Sequence, residues 1–477
     1  MEKIFLDNLD NNNDSNTSND NHISDAIDDS SRCEFSTVTE GMNKEKVANE
    51  SGIRKVLVVS YYFPPMGLSG VQRTLKFVKY LPSFDWSPIV LTTGTTNYFA
   101  FDETLLSDTE KSDLISIYRT EKDPFNLGRS KKNKTLQYPS RFKQKLFRMI
   151  SQSVFIPDTR IRWKKYAIAL GNQIIEENPD INLIFATAPP FTDFLVAKEL
   201  SEKHNIPFVV DYRDLWMDNP QYFFPTAYHK RKALSLETGV LKHASKIFVI
   251  TRTMKEKMLS RYKFLSHDDI SIIPHGYDEE DFQPYRDVKP ETNKLVITHC
   301  GLFPDDRTPK YFLKALKKFF EQMPEARSKI EARFVGIMRK SHIKMIMRYK
   351  LNDVVTTKGY LPHNEAVQNL MESDVLWMML RNNVETPGRF FEYIGASKTM
   401  LICVPGGSIK QIAEESNSAF ITKPKDINGI AKALHTIYDL WRQHYLPIPD
   451  ESFVQQYDRQ LLTKRLAREI SFVANDG

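Results

Sequence analysis

The sequence alternates short apolar runs with amphipathic stretches over most of its 477 residues. The first run, Lys55-Val-Leu-Val-Val-Ser60, has the continuous apolar character of a strand that is buried on both faces of a parallel sheet. Helical stretches such as 193–203 and 231–243 separate the later runs. Those runs are at residues 89–92, 181–186, 207–211, 246–250, 295–299, 332–335, 354–357, 375–378 and 400–404. Strands that alternate with helices form parallel sheets covered on both faces, so the pattern predicts an α/β fold.

The chain is too long for one compact core and suits two domains of ordinary size. The strand pattern starts again near residue 294, after a stretch without a clear apolar run. We therefore predict a first domain over residues 51–290 and a second, built in the same way, over residues 291–445. A further helical stretch, 446–477, follows them.

Residues 1–50 differ from the rest in composition. They are rich in Asn, Asp and Ser and hold twelve acidic against four basic residues, with few apolar side chains to bury. Such a composition predicts disorder. The segment is either a dispensable extension or a regulatory or partner-binding tail.

Charge and cysteine content limit the class of protein. The net charge is +6, and because the tail is acidic, the remaining chain is strongly basic. A basic chain is compatible with binding to nucleic acid, to an anionic membrane or to phosphorylated substrates. The sequence shows no helix-turn-helix, RNA-binding strand or zinc pattern, so we do not predict nucleic-acid binding. The three cysteines, Cys33, Cys300 and Cys403, are far apart and predict neither disulfides nor a zinc site. No apolar run could span a bilayer and the N-terminus is polar, which predicts a cytoplasmic protein.

An insertion at about residues 120–150 is strongly basic. Residues 129–148 contain eight Lys or Arg and no acidic residue, and four cations near Trp163 extend the charge. An apolar stripe adjoins it at Leu146, Phe147, Ile150 and Val154. Basic and apolar faces together are typical of peripheral contact with an anionic membrane, and a solvated loop is the alternative.

The main candidate site is the stretch from Glu385 to Leu401. Pro387-Gly388 ends the preceding segment, and a helical pattern starts there. A helix start presents unpaired backbone N–H groups and the positive end of the helix dipole, which suits a diphosphate. Glu385 and Glu392 flank this start, and carboxylates accept hydrogen bonds from neighbouring sugar or ribose hydroxyls. The alternative is an ordinary helix with two solvated glutamates.

Other candidates follow strands in both halves. Gly67 and Gly70 lie in the loop after the first strand, where a ligand of an α/β sheet is expected. Asp211 and Asp214 come just after a later strand, although a buried salt bridge of one of them with Arg213 is an equal alternative.

Two cations open the second half. Arg307 and Lys310 precede and begin its first helical stretch, where they could reach a diphosphate. The chain contains no Asp-x-Asp, so we expect neither a metal ion nor another cofactor. His275 is read as part of a turn at the domain edge.

Several of these segments resemble bacterial glycosyltransferases of the family 4 type. Pro387-Gly-Arg-Phe-Phe-Glu-Tyr393 is similar to their Pro-Gly-Lys-x-Phe-Glu-Tyr element, and the similarity covers residues 53–475. Five more segments match in the same order: KVLVVSYYFPPMGLSGVQR, FIPDTR, APP, DYRDLW and IPHGYD. The sequence departs from the family pattern twice, because Arg307 comes late after Gly301 and the spacing from Glu385 to Glu392 is one residue short.

The resemblance implies a GT-B fold, in which two Rossmann-like domains face a central cleft and the last helix returns to the first domain. It implies transfer of a sugar from a nucleoside-diphosphate sugar to a hydroxyl of a saccharide or lipid-linked acceptor, with retention, in bacterial surface polysaccharide synthesis. The alternatives are a non-catalytic nucleotide-sugar-binding scaffold and a sugar-nucleotide epimerase.

The family also implies roles for the candidate residues. The implied catalytic residues are Arg307, Lys310 and Glu385. The implied donor-binding residues are Pro387, Gly388, Arg389 and Glu392. The acceptor side of the cleft would hold Gly67, Gly70, Asp211 and Asp214.

Overall fold

The structure is a computed structural model that describes residues 52–67, 69–94, 101–121, 149–219, 222–288, 292–304 and 307–476. The tail over residues 1–50 and the basic segment 129–148 lie outside the described residues. Predictions made for them therefore stay predictions.

The first sheet has seven parallel strands in the order β3-β2-β1-β4-β5-β6-β7. The strand order reverses between β1 and β4, which is where ligands of open α/β sheets bind. The strands are β1 Arg54–Val59, β2 Trp86–Thr93, β3 Ser116–Thr120, β4 Ile181–Ala188, β5 Phe208–Tyr212, β6 Lys246–Val249 and β7 Ile270–Ile272.

Helices cover both faces of this sheet. They are α1 Ser69–Tyr80, α2 Lys164–Glu177, α3 Thr192–His204, α4 Ala227–Leu241 and α5 Arg252–Arg261. A short helix, α6 Glu279–Phe282, follows β7, and its Phe282 side chain packs in the core of the second domain. The hydroxyls of Thr226 and Thr251 cap α4 and α5 by accepting from backbone N–H groups of the first turn. A short helical segment at residues 149–154 precedes α2.

The second sheet has six parallel strands in the order β10-β9-β8-β11-β12-β13. The strands are β8 Leu295–Cys300, β9 Ile330–Val335, β10 Val355–Gly359, β11 Val375–Met379, β12 Thr399–Cys403 and β13 Ala419–Thr422. The helices are α7 Lys310–Gln322, α8 Lys340–Arg348, α9 His363–Met371, α10 Gly388–Gly395, α11 Ser408–Glu415 and α12 Ile427–Arg442. The predicted fold class, two Rossmann-like domains with parallel sheets, is confirmed.

The chain ends in α13 Glu451–Gln455 and α14 Arg459–Asp476, and α14 lies on the first domain. Three of its apolar side chains, Leu462, Leu466 and Ile470, are buried in the core beneath α1. Gly276, in the link between the domains, packs so closely on the start of this region that an added Cβ would lie 2.2 Å from the carbonyl oxygen of Tyr457. A side chain at this position is therefore excluded.

The two domains also contact each other directly. The Thr253 and Ser408 hydroxyls are 3.0 Å apart, and the Asp102 carboxylate accepts from the backbone N–H of His363 at 2.9 Å. The His363 ring pairs with Asp281 on α6, in the link between the domains. Among the described residues, no helix is both long and apolar enough to cross a lipid bilayer.

Candidate functional site

The loop between β11 and α10 places Glu385 and the start of α10 at the edge of the second sheet. The side-chain oxygen of Asn382 accepts from the backbone N–H groups of Val384 and Glu385, at 3.0 and 2.9 Å, and so fixes the turn. Pro387 then precedes the first helical residue, Gly388, with an extended backbone. The first-turn N–H groups of α10 are thereby directed out of the sheet edge.

Arg307 and Glu385 form an ion pair across two neighbouring loops of the second domain. Arg307 Nε lies 3.1 Å from Glu385 Oε2, and Nη2 of the same guanidinium also donates to that oxygen. Both side chains are largely buried, with 18% and 17% exposed. Glu385 is therefore an oriented, paired carboxylate, and two of the three residues implied to be catalytic are brought together.

Lys310, the third of these residues, is the first residue of α7. Its ammonium nitrogen lies 5.7 Å from the centre of the Tyr311 ring. Over the described chain, no carboxylate lies within ion-pair distance of it, and its side chain is partly exposed. Lys310 is thus a cation without an ion-pair partner in the described residues, three positions after Arg307.

Asp214 brings a carboxyl group of the first domain to this pair. It follows β5, is partly exposed, and has a pKa raised to about 6. Burial is the main cause, the negative charge of Glu385 adds to it, and Arg213 and Arg307 oppose it. Asp214 of the first domain is therefore within electrostatic range of the Arg307–Glu385 pair of the second domain.

Glu392 is held by an ion pair with Arg389 on α10. Its carboxylate is almost fully buried, at 6% exposed. Burial acts to lower the pKa of Arg389, but Cys300 and Glu392 outweigh it and raise that pKa. Neither glutamate of the predicted site is solvated, so the structure does not support the alternative of an ordinary exposed helix.

Arg213 ties the start of α1 to the loop after β4. Its guanidinium donates to the carbonyl oxygens of Gly70 and of Pro189, which lies in the loop after β4. Gly70 lies in the first turn of α1, so its predicted position in the loop is wrong, whereas Gly67 does lie in that loop. Gly67 is buried, and a Cβ at Gly70 would lie 3.8 Å from Arg213, which is an ordinary contact. Packing inside the protein therefore does not require a glycine at position 70.

Asp211 has a structural partner. Arg73 on α1 donates to it from Nε at 2.9 Å and from Nη2 at 2.7 Å, and the Thr187 hydroxyl donates at 2.9 Å. The side chains of Arg73 and Asp211 are each 1% exposed. The alternative of a buried salt bridge thus describes Asp211, but with Arg73 as the partner in place of Arg213, and the structure does not present Asp211 to the cleft.

Two residues near the site were not predicted to belong to it. The Cγ atom of His275 would lie 4.0 Å from a Cβ on Gly388, beside the start of α10, and burial followed by the charges of Arg73, Arg459 and Arg213 holds the pKa of His275 well below its usual value. Arg459 opens α14 and is buried, and its pKa falls to about 9 because of burial first and Arg73 next, while Glu392 opposes the fall. The link and the last helix thus reach the site.

A group of three carboxylates, Asp108, Asp278 and Asp281, lies apart from these residues. The ammonium group of Lys76 is within 2.8 Å of an oxygen of each. A cation of the protein itself therefore occupies the centre of the group, which fastens α1 to the link between the domains.

Comparison with known proteins agrees with this architecture. Residues 128–281 match the family model described as Glycosyltransferase Family 4. The HepE protein of Anabaena, in complex with UDP and glucose, has a TM-score of 0.59 at 14% identity over 88% of this chain and 99% of its own. Sucrose-phosphate synthase of Thermosynechococcus elongatus has a TM-score of 0.61 at 14% identity over 89% and 100%.

A third similar structure, a proposed UDP-N-acetylglucosamine 2-epimerase of Listeria monocytogenes, has a TM-score of 0.55 at 11% identity over 89% of this chain and 98% of its own. Identities this low show the fold alone. No curated protein matches the sequence.

The two parallel sheets and the similar solved structures show that the chain has the GT-B fold. The match of residues 128–281 confirms, for that segment, the predicted resemblance to glycosyltransferases of the family 4 type.

Proposed function

We propose that this protein transfers a sugar from a nucleoside-diphosphate sugar to a hydroxyl group of an acceptor, with retention of the anomeric configuration. The observation that carries the proposal is the ion pair of Arg307 and Glu385, three residues before the start of α10. Lys310 follows Arg307 by three residues, at the start of α7. HepE, which shares the fold, has been crystallised with UDP and with UDP-glucose, and this supports the choice of donor class.

The proposed chemistry is charge stabilisation on the donor side. As the bond between the anomeric carbon and the diphosphate oxygen breaks, negative charge develops on the leaving diphosphate. The ammonium group of Lys310, the guanidinium of Arg307 and the first-turn N–H groups of α10 supply preorganised positive charge for it. Glu392, oriented by Arg389, accepts hydrogen bonds from donor hydroxyls. The chain supplies these charges itself, so we propose that no metal ion takes part.

The first domain would hold the acceptor. Asp214 is within electrostatic range of the ion pair and, with a pKa of about 6, is mostly ionised at neutral pH. We propose that it accepts a hydrogen bond from the acceptor hydroxyl, near Gly67 and Gly70. We propose a saccharide or lipid-linked acceptor and a role in making a surface polysaccharide, such as exopolysaccharide, capsule or lipopolysaccharide, on the cytoplasmic side of the membrane.

A thermal-shift screen against nucleoside-diphosphate sugars and free nucleotides tests the donor class. A ligand that binds only the folded protein stabilises it by about 2.7 kcal/mol at a concentration of 100 times its Kd, so one nucleotide should raise the melting temperature clearly. No shift with any of them, in a protein that melts cooperatively, would contradict the proposal.

The variant Glu392→Ala separates a catalyst from a scaffold. For a transferase we expect Glu392→Ala to lose turnover while donor binding is preserved, and Glu415→Ala, at an exposed carboxylate of the same domain, to keep turnover. Because Glu392 is the buried partner of Arg389, circular dichroism is used to check that the variant is folded. Donor binding without turnover in the unmodified protein would instead indicate a scaffold.

Product analysis addresses the epimerase, which the fold of the Listeria protein keeps as a second candidate. A transferase releases nucleoside diphosphate in step with the glycosylated acceptor. An epimerase converts one nucleotide sugar into another and needs no acceptor.

A further inference from the structure

Five large apolar side chains are exposed on two segments of the first domain. The segments are residues 149–154 and 223–228, and the exposed fractions of these side chains range from 41% to 67%. The side chains are Met149, Ile150, Val154, Phe223 and Tyr228. Ile150 and Val154 are four residues apart on a helical segment and therefore share a face.

The two segments are hydrogen-bonded to each other, so their apolar side chains form one surface. The backbone N–H of Phe223 donates to the side-chain oxygen of Gln152 at 2.7 Å. The ring nitrogen Nε2 of His229 lies 3.1 Å from the carbonyl oxygen of Ser153. Since both contacts are made by residues next to the exposed side chains, the apolar groups are neighbours in space.

Three exposed cations border this surface at the start of α4. They are Lys230, Arg231 and Lys232. At 3.6 residues per turn, Tyr228, Arg231 and Lys232 fall within an arc of about 100° on the exposed side of the helix. Within the described parts of the chain, none of the three cations has an ion-pair partner.

We propose that this docking surface, residues 149–154 together with 223–232, binds an anionic lipid membrane. Uncovered apolar side chains enter the boundary between headgroups and acyl chains, and unpaired lysines and arginines beside them are attracted to anionic headgroups. The charge complementarity selects a membrane over a second copy of this chain, because the same three cations would repel one another across a symmetric contact.

The docking surface is connected to the acceptor side of the cleft. After residue 154 the chain continues to Asp158, whose carboxylate accepts from the backbone N–H and hydroxyl of Thr192 at 3.0 and 2.8 Å. Tyr222, next to Phe223, has its ring 5.5 Å from that of Phe191. Both contacts are made at the start of α3, next to the loop that Arg213 holds. This step rests on the proposed function: a membrane-bound protein would meet a lipid-linked acceptor at this edge.

The test is co-sedimentation of the full chain with vesicles of phosphatidylcholine, alone or with one-third phosphatidylglycerol. We expect sedimentation with the anionic vesicles and little with the neutral ones. Replacing the three cations with glutamine should weaken partition by about 100-fold, because each contributes about a factor of five near an anionic surface. Three exposed lysines of the second domain give a control with the same change in charge: Lys423, Lys425 and Lys432.

A second variant tests the apolar part of the docking surface. Ile150→Ser, Val154→Ser and Tyr228→Ser together should weaken partition by at least about tenfold. Tyr445→Ser with Ile448→Ser, two side chains that are at least as exposed on the second domain, should leave it unchanged. The melting temperatures of all variants are measured first, so that a loss of folding is recognised.

Three results would overturn the proposal: no sedimentation with anionic vesicles, equal losses in the variants and their controls, or self-association in sedimentation velocity that the serine variant abolishes. Failure of the proposed function is seen separately. If the protein binds anionic vesicles but turns over no nucleotide sugar, the membrane proposal stands and the proposed function fails. If the protein glycosylates a water-soluble acceptor but does not bind the vesicles, the membrane proposal fails and the proposed function stands.

Discussion

Breaking the buried pair of Arg73 and Asp211 should destabilise the first domain strongly. The Arg73 guanidinium also donates to the carbonyl oxygens of Pro274 and Ile273, at 2.7 and 2.9 Å, and so joins α1, β5 and the link between the domains. Both side chains of the pair are 1% exposed. Arg73→Met leaves a buried carboxylate with only the Thr187 hydroxyl, and Asp211→Asn leaves a buried guanidinium without its counter-charge.

Removing one partner of a fully buried ion pair costs about 3–5 kcal/mol, because the remaining charge is desolvated without compensation. For a domain of this size that corresponds to a fall in melting temperature of about 10 °C. The matched control is Lys55→Met, which breaks a pair with Asp180 whose side chains are 31% and 56% exposed, and which should cost about 1 kcal/mol or less.

The assay is urea unfolding of both single variants, the double variant and the control, followed by circular dichroism. If the pair acts as a unit, the double variant loses less free energy of unfolding than the two single variants added together. Single losses below about 1 kcal/mol, or strict additivity, would refute the reasoning.

Four further predictions follow from the site. Arg307→Ala should lower turnover by about 100-fold or more, as loss of a preorganised charge does, with the fold retained in circular dichroism. The melting temperature of Asp214→Asn relative to that of the parent protein should increase as the pH rises from 4 to 7. The pKa of Asp214 is raised to about 6 in the folded state, so ionisation of this carboxyl destabilises the folded parent over that pH range. Gly395→Ala places a Cβ 2.3 Å from the Tyr277 ring and should cost about 1–3 kcal/mol in urea unfolding. Treatment with EDTA should leave turnover unchanged.

The strands that are buried on both faces were predictable from the sequence. The run at 55–60 becomes β1 at Arg54–Val59, and the run at 207–211 becomes β5 at Phe208–Tyr212. Three strands were not predicted: Ser116–Thr120, Ile270–Ile272 and Ala419–Thr422. All three lie at the edges of their sheets and most of their side chains are only partly buried, so no continuous apolar run marks them.

The candidate site was predictable as far as it depends on strand ends. Arg307 and Glu385 follow β8 and β11, which are neighbours in the second sheet, and the carboxyl ends of parallel strands meet at one edge. The pairing of Asp211 with Arg73 was not predictable, because it depends on which side of α1 faces β5. The approach of Arg459 was not predictable either, since it follows from how the last helix packs on the first domain.

The two departures from the family pattern meet in space. Compared with the family pattern, Arg307 comes later after Gly301, and Glu385 is one residue nearer to Glu392 in the sequence. In the structure these two side chains form one ion pair. If only one of the two charged residues had changed its position in the sequence, it would lack an ion-pair partner. A largely buried charge without a partner lowers the stability of the fold, so that arrangement would indicate a site that has lost its function. Here Arg307 and Glu385 each supply the counter-charge for the other. Asp214 of the first domain is within electrostatic range of this pair. The departures are therefore one local rearrangement that keeps a charged cleft, and this is why we favour a catalyst over a scaffold.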